Sequence, residues 1–335
     1  MKLEPEILDD SEKLNLALRS LYLHHGFTRF RMMKFEEYDL YAQNKDFLLS
    51  ENVITFTDTN GRLMALKPDV TLSIIKSCNR DIPGTLQKIC YNENVYRASK
   101  GAGGFREMMQ AGVECIGCVD AKCVGETLLL AAKSLALCAP EYVLAVSHLD
   151  ILHHFLLDFS ESVPIQQSVM KCIGEKNMHG ISSICRDEGI AWGKAEELRA
   201  LLNVYGTPDH AFPRLRELCA GRGLEAELAY LDKVLSVLEE AGVGDRVWLD
   251  FSSMSNMNYY NGVFFRGFIE GVPDSVLSGG QYDKLMRKMG RRSNAVGLAV
   301  YLNLLDRLGD KDSAVPAFLQ DEKKVGTDYA EHCTA

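Results

Sequence analysis

Leu14, Ala17, Leu18, Leu21 and Tyr22 recur at three- and four-residue steps within residues 11–24, which places them on one stripe of an α-helix. Asp10 or Ser11 can cap its start, and Gly26 ends it. Residues 27–35 then read as a strand. Residues 53–66 read as a hairpin in which Asn60-Gly61 supplies the positive φ angles of a tight turn. A short helix follows Asp69. Residues 86–97 and 105–117 are strand-like on either side of the glycine-rich stretch 98–104, so together they predict a long antiparallel hairpin.

Asp120 caps a helix that runs to about Cys138, and 142–148 returns as an apolar strand. The period then changes. Residues 151–243 are almost wholly helical in pattern, with Leu224, Leu228, Leu231, Val234, Leu235 and Leu238 on one face. Strands resume at 246–251, 262–269 and 276–278, and 296–308 predicts a final apolar helix. Strands, then helices, then strands give an α+β fold: an antiparallel sheet flanked by helices and interrupted by a helical insertion. The division that follows is a core in two parts, 1–150 and 244–308, an insertion at 151–243 and a polar tail at 309–335.

Composition adds little that is unusual for a globular chain of 335 residues, 47% of them hydrophobic. Charge adds more. With 37 basic against 46 acidic residues the net charge is −9, which disfavours a large RNA partner, because such binding rests on clustered Lys and Arg. No stretch approaches the length of a membrane span and the start of the chain is too acidic for a leader, so a cytoplasmic protein is expected. The ten cysteines are scattered. Cys115, Cys118 and Cys123 have CxxC spacing without a second pair or a histidine, and are expected to be packing thiols in a strand and the helix after it; no metal and no cofactor are expected.

Three segments carry candidate chemistry. In Lys67-Pro68-Asp69-Val70-Thr71 the proline sets an extended approach to a helix start, where Asp69 is either a ligand group or simply the cap. In the hairpin, Arg97 and Arg106 flank the loop, suited to gripping phosphate or carboxylate, while Gln110 and Glu114 share one strand face. The same hairpin is also compatible with a purely structural turn. In Asn258-Tyr259-Tyr260-Asn261 and Gly279-Gly280-Gln281-Tyr282-Asp283, glycine pairs permit close backbone approach and tyrosines supply walls with a hydroxyl handle; a bulge with core aromatics is the alternative.

In this order the three segments, followed by Ala295-Val296-Gly297, resemble the catalytic core of histidyl-tRNA synthetase, a class II aminoacyl-tRNA synthetase, over roughly residues 5–308. The resemblance implies a histidine pocket at Asp69, Thr71, Arg97, Gln110, Glu114, Tyr259, Tyr260, Gly280 and Tyr282. It also implies a lost nucleotide pocket. The motif-two Arg-x-Glu corresponds to Arg97 followed by Ser99, and the arginine three residues ahead of the family's Asp-Tyr-Tyr is Ser255, with Asn258 for the Asp. Motif three, Gly-Leu-Glu-Arg, is Tyr301-Leu302-Asn303-Leu304.

Adenylation develops charge on phosphate oxygens, and one preorganised donor for such charge is worth about 3–4 kcal/mol, so losing two arginines and an acidic partner should cost several orders of magnitude in rate. Only 27 residues follow Leu308, too few for the family's anticodon-binding domain, so tRNA is not expected as a partner. This pattern, with Pro-Asp-x-Thr at 68–71, is similar to the branch formed by the regulatory subunits of ATP phosphoribosyltransferase. That resemblance implies a non-catalytic dimer that joins a short-form catalytic subunit and binds histidine as a feedback signal. A synthetase-like ligase that still activates an amino acid is the other reading. A stand-alone ligase or transferase is the third, with Arg97, Arg106, Arg291 and Arg292 as its phosphate clamp, although the 291–292 run reads better as an exposed turn. Met33, where the family's interface motif has a proline, leaves the dimer contact less defined.

Overall fold

The computed structural model describes residues 8–48, 53–78, 84–98, 104–252 and 259–305. The chain begins with α1 (Asp10–His24), short strands β1 (Thr28–Arg29) and β2 (Phe35–Glu37), α2 (Tyr38–Ala42), β3 (Thr55–Thr57), β4 (Leu63–Leu66) and α3 (Thr71–Ser77). The long pair β5 (Leu86–Ala98) and β6 (Phe105–Gly117) leads into α4 (Ala121–Cys138) and β7 (Tyr142–His148). Helices α5 (Leu149–Phe159), α6 (Val163–Gly174), α7 (Met178–Asp187) and α8 (Trp192–Leu202) precede a two-residue strand, β8 (Tyr205–Gly206), then α9 (Pro208–Cys219) and α10 (Glu225–Glu240). The chain returns to the sheet with β9 (Val247–Asp250), β10 (Asn261–Ile269), β11 (Leu277–Gln281), α11 (Asp283–Lys288), β12 (Asn294–Tyr301) and α12 (Leu302–Leu305).

Nine strands form one sheet in the order β1-β5-β6-β12-β11-β10-β7-β9-β8, antiparallel except where β1 meets β5 and β7 meets β9. The strands β2-β4-β3 form a second, small sheet. Alternation along β6 sorts its side chains. Val113 and Cys115 enter the large core under α1 and α4, with Leu18, Tyr22, Leu128 and Leu135, while Ile116 enters a second core with Tyr41, Leu72, Tyr91, Tyr259, Tyr282 and Leu285. The site lies on this second face. Helix α10 packs on the first, approaching α4 so closely that a methyl group on Gly125 would lie 2.7 Å from Val237 Cγ2.

The expected α+β architecture is present, with corrections at particular elements. Of the stretch 296–308 expected as a final helix, only 302–305 is helical, as α12, and 306–308 lie outside the described residues; 296–301 belongs to strand β12, hydrogen-bonded to β6 on one side and β11 on the other. Its run Ala-Val-Gly-Leu-Ala-Val fits either period, and partners on both sides settle it as a buried central strand. Within 27–35 only Thr28–Arg29 pair with the large sheet, after which the chain leaves it, Met33 is 69% exposed, and Phe35 opens β2 of the small sheet. The first helix is capped by Asp9 in place of Asp10 or Ser11: its carboxylate accepts from Glu12 N, and the Glu12 carboxylate accepts from Asp9 N. In the 60–61 turn only Gly61 has positive φ. Arg291 is no exposed turn residue; its Nη2 donates to the Ile75 and Cys78 carbonyls and ties down the end of α3. Among the described residues the nine cysteines are free thiols, no group of His, Cys, Asp and Glu is placed to hold a metal, and no helix is long and apolar enough to cross a membrane.

The segment carrying Pro68 and Asp69 is pinned from below. Lys67 is fully buried and its Nζ lies 2.5 Å from Glu93 Oε2, while its carbonyl accepts from Tyr96 N. Burial pulls the lysine below its ordinary range, against the opposing effect of Glu93. Breaking such a pair leaves one buried charge uncompensated, so Glu93→Ala is expected to cost ~3–5 kcal/mol, whereas Lys67→Met with Glu93→Leu should recover most of that loss. Urea denaturation of the three proteins checks this; a Glu93→Ala loss below about 1 kcal/mol would refute the buried pair as an anchor.

Candidate ligand-binding site

The sheet register builds the site row by row. Glu114 on β6 faces Gly297 on β12, which faces Gly280 on β11, which faces Phe264 on β10. The next row runs Gly112, Ala299, Ser278 and Arg266, and the one beyond it pairs Gln110 with Tyr301. The middle of this face therefore carries glycine, alanine and serine, a floor of missing side chains between long polar groups. The need for glycine is steric: a Cβ on Gly297 would sit 1.7 Å from Glu114 Oε2, and one on Gly112 would sit 2.2 Å from the Leu298 carbonyl.

Glu114 is the electrostatic centre. It is 2% exposed, Thr71 Oγ1 donates to its Oε1 at 2.8 Å, and the Tyr282 hydroxyl donates to its Oε2 at 2.6 Å. Burial pushes its carboxyl up to about 8; the two hydroxyls oppose the shift and the neighbouring Asp69 adds to it. Asp69 is buried too, and burial also raises its carboxyl, with the Leu72 amide and Arg97 pulling the other way. Its Oδ1 accepts from Leu72 N at 2.9 Å, so the capping alternative describes this contact while placing the carboxyl beside Glu114.

The Tyr259 and Tyr260 rings meet at a tilt, their centroids 4.5 Å apart, with Tyr282 6.1 Å from Tyr259 and Phe264 5.0 Å from Tyr260. The Tyr259 phenol lies beside Thr71 and that of Tyr260 beside Ser278. Tyr260 rests on Gly280, where an added Cβ would meet its Cδ1 at 2.9 Å. Burial raises all three phenols well above their ordinary range, so they act as neutral donors and acceptors.

Asp69, Thr71, Gln110, Glu114, Tyr259, Tyr260, Gly280 and Tyr282 thus share one face of the sheet, Gln110 buried between Glu93 and Tyr301 in the register. Arg97 stands at the rim, where its Nε donates to the Pro68 carbonyl at 3.0 Å, and Arg106 lies opposite it on β6. Ser99, Ser255 and Asn258 fall outside the described residues. Leu304, in the position of the family's motif-three arginine, lies in α12 and packs against the large core. Ser147 and Arg266 lie outside the three segments read from the sequence, while Gly112 and Ser278 lie within or beside them without an assigned role. For Gly112 the signal was present, midway between Gln110 and Glu114 at strand spacing; for Arg266 it was one charge in the apolar run of β10.

Chemically, a buried Glu114 carboxyl raised above its ordinary range and walled by neutral phenols is suited to a ligand bearing an ammonium or imidazole group, since a nearby cation pulls such a carboxyl down and favours its anion. A family model described as histidyl-tRNA synthetase matches residues 2–305. The chain is 28% identical over 300 residues to an ATP phosphoribosyltransferase regulatory subunit of Caldanaerobacter subterraneus, covering 88% of this chain and 78% of that protein. It is 25% identical over 298 residues to a regulatory subunit of the same name from Bacillus anthracis, covering 87% and 70%. Among solved structures, an ATP phosphoribosyltransferase regulatory subunit/histidyl-tRNA synthetase from Bacillus halodurans superposes with a TM-score of 0.79 at 25% identity, over 92% of this chain and 81% of that one. The ATP phosphoribosyl transferase (HisG:HisZ) complex from Thermotoga maritima shares the fold, with a TM-score of 0.68 at 18% identity over 88% and 98%.

Proposed function

Because the chain belongs to the histidyl-tRNA synthetase family, we propose that it has kept that family's amino-acid site and given up its reaction, serving as the regulatory subunit of an ATP phosphoribosyltransferase. The observation that carries this reading is the contrast between two halves of one site. The amino-acid half is assembled, with Glu114 held by Thr71 and Tyr282 under the paired tyrosines. The nucleotide half is depleted: Leu304 stands for the motif-three arginine, Ser99 for the acidic partner of the retained Arg97, and Ser255 for the arginine that faces the amino-acid carboxylate. With those groups lost, the developing phosphate charge is poorly stabilised and a bound amino acid stays unreacted.

The names of the relatives support the choice of partner. In this reading a dimer of the chain joins a short-form catalytic subunit in the cytoplasm, raises its activity and transmits inhibition by histidine; tRNA takes no part. Ligand occupancy shifts the equilibrium of the attached subunits, and the coupling appears reciprocally in both affinities. The test is the rate of a short-form catalytic subunit with and without this chain across a histidine titration. A rate that rises on adding the chain and falls with histidine is expected. A rate indifferent to the chain rejects the proposal, and so does ATP–pyrophosphate exchange by the chain at an ordinary enzymatic pace, which would establish the amino-acid-activating ligase instead.

A further inference from the structure

The family's arginine for the amino-acid carboxylate is Ser255 here, yet the site face holds another guanidinium. Arg266 occupies the row next to Glu114's, paired with Ser278 on β11 and Ala145 on β7. Its Nε is buried without a hydrogen-bond partner, and among the described residues it is in no ion pair. In a chain with 46 acidic residues, a half-buried arginine with no carboxylate is a charge awaiting one. Nearby stands a second unsatisfied group. Ser147 on β7 pairs with Phe264, so its side chain lies on the same face, one strand over from Arg266; its Oγ is also buried without a partner. Two hydroxyls close the other side, Ser278 Oγ and Tyr301 Oη, 2.5 Å apart.

The guanidinium carbon lies 5.7 Å from the centre of the Phe264 ring on the same strand, and Phe264 is the far end of the row that begins at Glu114, so Arg266 lies along β10 beside that row. Three strand spacings separate β6 from β10, about 14 Å between backbones. Two long side chains reaching inward from those backbones leave a gap of the length of one amino acid. An acceptor at one end and a guanidinium with a hydroxyl at the other are the complement of a zwitterion.

We infer that Arg266, with Ser147, receives the α-carboxylate of the amino acid whose cationic end meets Glu114, in place of the arginine missing at Ser255. This rests on the amino-acid-binding reading above. Tyr260 lies on Gly280 with its phenol beside Ser278, over the floor between the two ends.

Calorimetry on the full-length chain separates the two claims, using histidine and histidinol, which differ only in carboxylate against alcohol. Wild type is expected to bind histidine at least tenfold more tightly than histidinol. Arg266→Gln should lower histidine affinity about 10- to 100-fold, as for a lost charge-assisted contact, and leave histidinol unchanged, abolishing the preference. Arg266→Lys should restore part of it, and Ser147→Ala, which removes no charge, should weaken histidine alone by a smaller factor. An Arg266→Gln protein that melts like wild type and still prefers histidine overturns the assignment of Arg266 while leaving the ligand reading intact. Should Arg266→Gln not fold, Arg266→Lys and Ser147→Ala decide, and a full histidine preference in both overturns it equally. Wild type that binds neither compound overturns both claims.

Discussion

Gly297→Ala is expected to lower stability by about 3–5 kcal/mol and to abolish ligand binding, the combined cost of overpacking a central strand and breaking two hydrogen bonds. The added methyl would fall 1.7 Å from Glu114 Oε2 and 2.7 Å from the Val113 carbonyl. Neither neighbour can yield cheaply. Val113 belongs to β6, which is paired on both edges, and Glu114 is held by Thr71 and Tyr282 with no solvent route away from them. Gly193 in α8, where an added Cβ meets nothing within 4 Å, is the control. Gly193→Ala should be stabilising by roughly 0.5–1 kcal/mol, because the substitution reduces the freedom of the unfolded chain. Urea titrations of both variants measure the difference; equal midpoints for the two would show that the floor has room that the register denies it.

Glu114→Gln is expected to stabilise the fold at pH 8 while losing the ligand. Below about pH 4.5, the ordinary glutamate value, the carboxyl is neutral in folded and unfolded chains alike and the group leaves stability untouched. As pH rises from there toward about 8, the unfolded chain ionises and the folded one does not, so wild type loses stability progressively across that window. Each unit of separation corresponds to about 1.4 kcal/mol, which puts the variant's advantage at pH 8 on the order of a few kcal/mol, vanishing near pH 4. The same amide cannot become an anion, so affinity for a cationic ligand should fall about 10- to 100-fold. Taking the difference between the two proteins removes the contribution of Asp69, whose raised carboxyl titrates in both. Denaturation at pH 4 and pH 8, with calorimetry on histidine, measures both effects. A variant less stable than wild type at pH 8, or one that binds as tightly, would contradict the central role of this carboxyl.

Local signals were enough for the elements whose ends are marked chemically. The β5–β6 hairpin is bounded by a glycine-rich loop, and α4 opens on Asp120, whose Oδ1 accepts from Cys123 N at 2.8 Å. They failed where partners decide. β12 is apolar in both the helical and the extended period, and only the strands on either side of it select one. The stretch 27–35 has strand-like residues with little to pair with beyond Thr28–Arg29. The site divides in the same way. Asp69, Thr71, Gln110, Glu114 and the tyrosines belong to short motifs and could be read from them. Arg266 and Ser147 come from strands 119 residues apart in the chain and meet only because β10 lies beside β7. No window of sequence contains that neighbourhood.

Tyr282 donates to Glu114 from the residue immediately before α11, and its backbone amide donates to the Ala295 carbonyl at the start of β12. When the carboxyl ionises to hold a cation, the strength of that phenol bond changes at the root of a six-residue helix. At the other end of α11, Lys288 reaches Asp46 and lies over the Phe47 ring, in the segment between α2 and β3. Helix α11 thus joins the buried carboxyl to an ion pair on the outside of the protein, and in the proposed complex a subunit resting against that pair would sense occupancy without touching the occupant.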